Sequence, residues 1–340
     1  MTQEATQPAT TQPDNSITQA QAVCSRLSER AQAVVVGRND VIELVIIALL
    51  SDGHVLLEDY PGSGKTTLAR CLGEAIATGD ASDPLPAFRR IQFTPDLLPS
   101  DVTGTSVFEV EQSRFSFRPG PLFAHIVLAD EINRTSPKVQ AAMLEAMAEK
   151  QVTVDNTTHP LDDIFFVIAT QNPLDVAGTY PLPTPQLDRF LFKIQMKHIA
   201  REDELIVLSH YPNPSLRMGD DVAKVSRAEL IAARAAIRSG VFIAPAVREA
   251  LVDLARALRA DDRVLQGAST RSLVLALPAL QTRALMHGRD YVAPEDLEHL
   301  SRPIFAHRIE CVSGVSDVER VISDALAPIL EQLARLSLKA

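Results

Sequence analysis

Apolar residues recur at helical spacing from Ile17 to about Ala33, stop at Val34-Val35-Val36-Gly37, and resume in a second helical stretch that runs to Leu50. Asn39 or Asp40 stands where a cap for that second helix belongs, and Gly53 where it should end. The pattern then changes. Val55-Leu56-Leu57, Ile126-Val127-Leu128-Ala129 and Ile164 to Ala169 are apolar at every position, as strands covered on both faces require. Helical patterns alternate with them. The clearest is Pro137 to Glu149, where Val139, Ala142, Met143, Ala146 and Met147 share a face. This alternation predicts an α/β fold with a parallel sheet between helices.

Two stretches carry strand pattern without an intervening helix and read as hairpin inserts, at about residues 100–120 and 150–162. In Thr105 to Arg118, Phe108 and Val110 share a parity, Phe115 and Phe117 lie on the returning arm, and Glu111 to Arg114 make the turn. In Gln151 to Leu161, Asp155-Asn156 are the turn residues. After Ile199 the strand signal ends. Pro212 and Pro214 suggest a connector. Helices are expected over Ser226 to Gly240, Ala244 to Ala260, Thr270 to His287, Pro294 to Ala306 and Asp317 to Leu336. The chain is thus expected to divide into a tail (1–16), an α/β core (17–199) and a C-terminal all-α domain (200–340).

Composition narrows the function classes. The net charge of −10 argues against general electrostatic affinity for nucleic acid or for anionic membrane. The longest apolar run, Val41 to Leu50, is interrupted by Glu43 and is too short to cross a bilayer. Met1 to Ser16 is rich in Thr, Gln and Pro, with neither a basic start nor an apolar stretch. It reads as a disordered tail and not as a signal peptide. Cys24, Cys71 and Cys311 are widely spaced, which suits reduced thiols in a cytoplasmic protein. The eight histidines show no metal-ligand spacing.

Chemistry is concentrated in two places. Pro61-Gly62-Ser63-Gly64-Lys65-Thr66-Thr67 follows an expected strand and opens an expected helix, the setting of a phosphate-binding P-loop. Glycines let backbone N–H groups turn inward around phosphate oxygens, and the helix N-terminus adds partial positive charge. Lys65 is placed to reach the β- and γ-phosphates and Thr66 to hold Mg²⁺. Asp59 stands where the strict motif has its first glycine. The second place is the end of the strand Ile126 to Ala129, where Asp130-Glu131 follow. Paired with a P-loop, Asp130 would hold Mg²⁺, directly or through water, and Glu131 would orient and polarise the attacking water. ATP and Mg²⁺ are the implied ligands, and ATP hydrolysis the implied reaction.

With these residues in place the chain resembles the MoxR family of AAA+ ATPases, from about Leu27 to Leu336. The specific stretches are Leu128-Ala129-Asp130-Glu131-Ile132-Asn133-Arg134, Ile168-Ala169-Thr170-Gln171-Asn172-Pro173, Gln186-Leu187-Asp188-Arg189-Phe190 and Gly267-Ala268-Ser269-Thr270-Arg271. The family tolerates Asp in the place of the first P-loop glycine. The resemblance implies an AAA+ P-loop NTPase core with a helical lid. It makes Asn172 the sensor 1 residue near the γ-phosphate and Arg189 an arginine finger acting in trans on the neighbouring subunit's ATP. Without it, Arg189 would read as a helix-end arginine paired with Asp188. Arg271 matches sensor 2, acting within its own subunit or across the interface, and Arg134 is a further candidate for an inter-subunit contact. Val36-Gly37-Arg38 resembles the segment lining the adenine pocket, which puts Gly37 among the nucleotide-binding residues. Phe108, Phe115 and Phe117 would either touch a substrate or pack on their own domain.

The implied function is a chaperone-like machine that matures or activates partner complexes. It would be a homo-oligomeric ring, a hexamer by the resemblance, working with a von Willebrand factor A domain protein on a protein client. The alternatives are a nucleic-acid motor of a related AAA+ branch, against which the acidic balance stands, and a chelatase-type motor subunit. A passive nucleotide-gated scaffold is disfavoured by Glu131 and Arg189.

Overall fold

A computed structural model describes residues 15–58, 62–77, 85–172, 178–209, 221–315 and 317–337. Two helices open it, α1 (Asn15–Val34) and α2 (Asn39–Leu50). Next come β1 (Val55–Glu58), α3 (Lys65–Ala75), β2 (Ile76–Ala77), β3 (Phe88–Gln92) and α4 (Pro99–Thr103). The first hairpin is β4 (Gly104–Glu109) and β5 (Arg114–Pro119), followed by β6 (Ile126–Asp130) and α5 (Pro137–Glu149). The second hairpin is β7 (Gln151–Val154) and β8 (Thr157–Pro160). After it lie β9 (Phe166–Gln171), α6 (Thr184–Leu187), β10 (Phe192–Gln195) and α7 (Arg201–Ser209). The remainder is helical apart from three short strands: β11 (Val225–Ser226), α8 (Arg227–Gly240), α9 (Pro245–Ala260), β12 (Val264–Gln266), α10 (Thr270–Met286), α11 (Pro294–Phe305), β13 (Glu310–Cys311) and α12 (Val318–Ser337).

The main sheet has five strands in the order β10-β1-β9-β6-β3, and every pairing in it is parallel. The continuously apolar strands have the expected cause. Val55, Leu57, Ile126, Leu128, Phe166 and Ile168 face one apolar cluster, which α1, α2 and the C-terminal helices complete. Leu56, Val127, Ala129, Val167 and Ala169 face the other, completed by α5. Successive side chains alternate faces, so burial on both faces demands apolar residues throughout.

The structure moves several expected boundaries. Helix α1 begins at Asn15, two residues inside the stretch read as a tail, and residues 1–14 lie outside the described residues. Neither Asn39 nor Asp40 caps α2: Arg38 holds the N-cap position and Asn39 is the first helical residue. That helix stops at Leu50, with Asp52 in the left-handed region (φ 63°) and the Gly53 N–H bonded to Ala48. The stop therefore comes before Gly53. Strand β9 starts at Phe166, because Asp162 accepts the N–H groups of Ile164 and Phe165 in a turn. The first hairpin turns through a 3-10 segment at Val110–Gln112 and Ser113, one residue earlier than expected. Asp155 and Asn156 make the second turn, both with positive φ, as its right-handed strand twist prefers. Strands β3 and β10 and helix α7 had no counterpart in the apolar pattern. The Pro212 and Pro214 connector and His210 lie outside the described residues.

Candidate active site

All five main strands run the same way, so their carboxyl ends share one edge, the edge where α/β sheets bind ligands. Strand β1 delivers the P-loop to it. Gly62 and Gly64 take φ of 92° and 94°, which glycine alone adopts at no steric cost. Gly64 then caps α3, whose first residues are Lys65, Thr66 and Thr67. Among the described residues, and apart from each glycine's own chain neighbours, no atom lies within 4 Å of where a Cβ on Gly62 or Gly64 would stand, so both positions border open space. Ser63 Oγ is buried without a hydrogen-bond partner. An open cradle, an unsatisfied hydroxyl and a helix N-terminus fit a phosphate group. Pro61 and Asp59 lie outside the described residues.

Strand β6 delivers the acidic pair. Asp130 is 7% exposed; its Oδ1 accepts the Thr170 hydroxyl at 2.6 Å and its Oδ2 the Arg90 guanidinium at 2.6 Å. Glu131 sits in the left-handed region (φ 58°), a conformation that costs a non-glycine residue about 1–3 kcal/mol. Its N–H donates to Thr170 Oγ1 at 2.9 Å. Its carboxylate accepts from Gln92 Nε2 at 2.8 Å and lies 3.1 Å from Arg134 Nε. Arg134, a candidate for an inter-subunit contact, thus pairs with Glu131 within its own chain while its side chain stays 41% exposed. Asn172 follows the end of β9, the strand between β1 and β6. The sheet order therefore places Asn172 between the P-loop strand and the Asp130 strand. The Thr66 hydroxyl and the Asp130 carboxylate are hard oxygen donors, the kind Mg²⁺ selects.

Arg90, Gln92 and Thr170 belong to this site and were missed from sequence. Arg90 and Gln92 lie on β3, the edge strand, whose polar residues gave no apolar run; the parallel register sets Gln92 against Asp130. Thr170 lies within the quoted stretch Ile168 to Pro173 but drew no role from it, and only the pairing of β9 with β6 shows it serving Asp130.

Gly37 (φ 70°) and Arg38 line a cleft of about 1410 Å³ that reaches Glu58 at the end of β1 and is walled on its far side by α11 and α12. The cleft runs from the end of the P-loop strand toward the lid helices.

Arg189 and Arg271 are elsewhere. Arg189 precedes β10, and β10 is parallel to β1 with Phe192 opposite Val55. Arg189 is therefore at the amino edge of the sheet, with a strand of roughly 13 Å between it and the P-loop edge. Asp188 does not pair with Arg189; it bonds Arg308 at 2.7 Å, and Ser269 and Ser272 at 3.2 Å each. Ser269 caps α10 by accepting the Ser272 N–H, and Arg271 is exposed in that first turn. Arg271 thus shares the Arg189 edge.

The three phenylalanines divide. Phe117 stacks on His159 of the second hairpin, centroids 3.7 Å apart, and meets Phe123 edge-on at 5.4 Å. Phe108 and Phe115 pair with each other at 5.2 Å and remain 49% and 71% exposed.

Comparison with known proteins bears on this arrangement. Residues 54–192 match the model of the ATPase family associated with various cellular activities (AAA), and residues 256–329 match the AAA lid domain. Chaperone MoxR1 of Mycobacterium tuberculosis is 36% identical over 81% of this chain and 72% of its own length. Protein MoxR of Methylorubrum extorquens is 31% identical over 94% of this chain and 96% of its own. The chain belongs to the MoxR family of AAA+ ATPases. An uncharacterized relative of this MoxR protein, YeaC of Bacillus subtilis, is 41% identical over 90% of the chain and 95% of its own length. A solved structure of a candidate ATPase from Cytophaga hutchinsonii superposes with a TM-score of 0.82 at 35% identity, covering 92% of this MoxR chain and 96% of that one. The chain is an ATP-hydrolysing enzyme with an AAA+ core and an AAA lid. Among the described residues of this MoxR protein, no helix is long and apolar enough to cross a membrane.

Proposed function

We propose that this MoxR ATPase works as one subunit of a ring that spends ATP on remodelling a protein client, in partnership with a von Willebrand factor A domain protein. One observation carries the ring: the P-loop, Asp130, Glu131 and Asn172 share the carboxyl edge of the sheet, while Arg189 and Arg271 share the amino edge. An arginine on the edge opposite its own P-loop supports a role toward a neighbour's nucleotide, so both arginines act in trans in this reading. The family resemblance supports the von Willebrand partner and the hexameric count. The name of the mycobacterial relative supports a chaperone role.

The residues divide the work. The N–H groups of Gly62 to Lys65 and the Lys65 ammonium bind the phosphates. Thr66 and Asp130 hold Mg²⁺, which neutralises phosphate charge when bound. Asp130 is oriented for this by Thr170 and Arg90. Glu131 accepts hydrogen bonds from the attacking water and polarises it, with Asn172 holding that water near the γ-phosphate. The cleft beside Gly37 receives the nucleoside. Arg189 of the next subunit stabilises the charge that develops on the transferred phosphoryl group.

The experiment is Glu131→Gln on the full chain. It keeps the P-loop, so ATP should bind with near-normal affinity while turnover falls by roughly 10²–10⁴-fold. The ATP-trapped variant is then used as bait, with Lys65→Ala as the control that does not hold phosphate. Recovery of a von Willebrand factor A domain protein by the first and not the second supports the reading. Recovery of DNA or replication proteins instead overturns the chaperone role and leaves the ATPase standing.

A further inference from the structure

The turn that carries Arg189 is held from the lid. Asp188 Oδ1 accepts Arg308 Nε at 2.7 Å and the Ser272 hydroxyl at 3.2 Å, and Oδ2 accepts the Ser269 hydroxyl at 3.2 Å. Arg308, with its side chain 1% exposed, continues into the same turn, donating to the carbonyls of Phe190 (2.6 Å), Leu191 (3.1 Å) and Asp188 itself (3.3 Å). It also donates to Ile304 on its own side. The buried ring of His307 adds a bond to Phe190 O at 3.0 Å. Every donor is a lid residue. Ser269 and Ser272 set the start of α10, which bears Arg271, and Arg308 follows α11.

A single carboxylate therefore joins the backbone bearing Arg189 to the helix start bearing Arg271. The Arg308 side chain is buried at 1% exposure while Asp188 keeps 21%, and such an ion pair is weak evidence for stability, so its directed bonds to the turn suggest orientation. We propose that Asp188 and Arg308 are positioning residues: their clasp fixes Arg189 and Arg271 as one face, so that both reach the adjacent subunit's ATP together. The inference rests on the reading of Arg189 as a finger in trans.

The test is complementation between full-length subunits. Asp188→Asn breaks the clasp and leaves the subunit's own P-loop, Asp130 and Glu131 intact. Glu131→Gln subunits hydrolyse little themselves but present intact Arg189 and Arg271. Alone, Asp188→Asn should bind ATP normally and turn over roughly 10²-fold more slowly, the scale of an ångström-level misplacement. Co-assembled with Glu131→Gln, it should recover a large fraction of turnover, because its sites now face intact neighbours. Arg189→Ala mixed with Glu131→Gln is the reference. If that reference pair recovers and the Asp188→Asn pair does not, the clasp is wrong and the finger stands. If the reference pair fails, the finger reading fails and the clasp with it. Wild-type turnover in Asp188→Asn alone also overturns the proposal. Should Asp188→Asn leave Arg308 as an unpaired buried charge and fail to fold, Asp188→Asn/Arg308→Met removes both charges and gives the same contrast. Arg308→Lys, which keeps the charge but loses the fork of donors, should recover less than wild type and complement in the same way.

Discussion

At the scale of single residues, His54 shows how burial sets a protonation state. It sits just before β1 with both ring nitrogens engaged: Nδ1 accepts the Val167 N–H at 3.1 Å, and Nε2 faces Met147 O at 3.2 Å. That pairing requires the neutral ring with its proton on Nε2, since a proton on Nδ1 would displace Val167. Burial, opposed by the Met147 bond and by Asp52, lowers the pKa from 6.5 to about 4. The folded chain therefore refuses a proton that the unfolded chain accepts between those values. Stability from this group is complete above pH 6.5 and is lost as pH falls toward 4, by about 3 kcal/mol. Denaturant titrations at several pH values in that window should show the slope, and His54→Gln should flatten it. An unchanged slope in the variant would assign the acid sensitivity to other groups, of which buried His307 is the first to test.

Elements depend on backbone fit as much as on pattern. The first hairpin is rooted where Gly104 (φ 98°) passes Gly120. A Cβ on Gly104 would fall 2.4 Å from Arg118 O and 2.6 Å from Gly120 N, and backbone atoms cannot give way. Gly104→Ala should thus cost about 1–3 kcal/mol locally, felt at the root of the hairpin and in the Phe117–His159 stack that ties the two hairpins. Hydrogen exchange of the β4 and β5 amides reads it: protection should fall in the hairpin and persist in β1, β6 and β9. Unaltered protection would mean that the turn is set elsewhere. The same scale explains which elements the pattern exposed. Strands buried on both faces announce themselves as apolar runs. Edge strand β3 exposes Arg89, Arg90 and Gln92 and buries only Ile91, and α7 buries no residue at all, so neither produced a signal.

At the scale of the whole molecule, core and lid are joined by buried polar bonds and a shared apolar cluster. Arg234 of α8, 8% exposed, donates to Leu49 O at 3.0 and 2.7 Å, to Asp52 at 2.8 Å and to Asp163 O at 2.6 Å. One apolar cluster runs from α1 and α2 across a face of the sheet into α8 to α12. The lid is thus packed against the core, and the turn bearing Arg189 is bonded to the lid. In the ring reading, Arg189→Ala should leave ATP affinity intact and reduce turnover by ~10³-fold or more. Steady-state ATPase beside nucleotide binding checks it, and near-normal turnover would remove Arg189 from the chemistry.

The order of residues alone determined the α/β class, the P-loop with Gly62, Gly64, Lys65 and Thr66, the acidic pair Asp130-Glu131, both hairpins and the five main lid helices. These are local properties: period, run length and turn chemistry are written in neighbouring positions. Tertiary structure decided what joins residues far apart in the chain. Parallel register brought Arg90, Gln92 and Thr170 to Asp130 and Glu131. Strand direction put Arg189 on the edge opposite the P-loop, and lid packing gave Asp188 to Arg308 and not to its neighbour. A hydrogen bond across 120 positions leaves no mark on local spacing, because what selects it is the three-dimensional path of the chain.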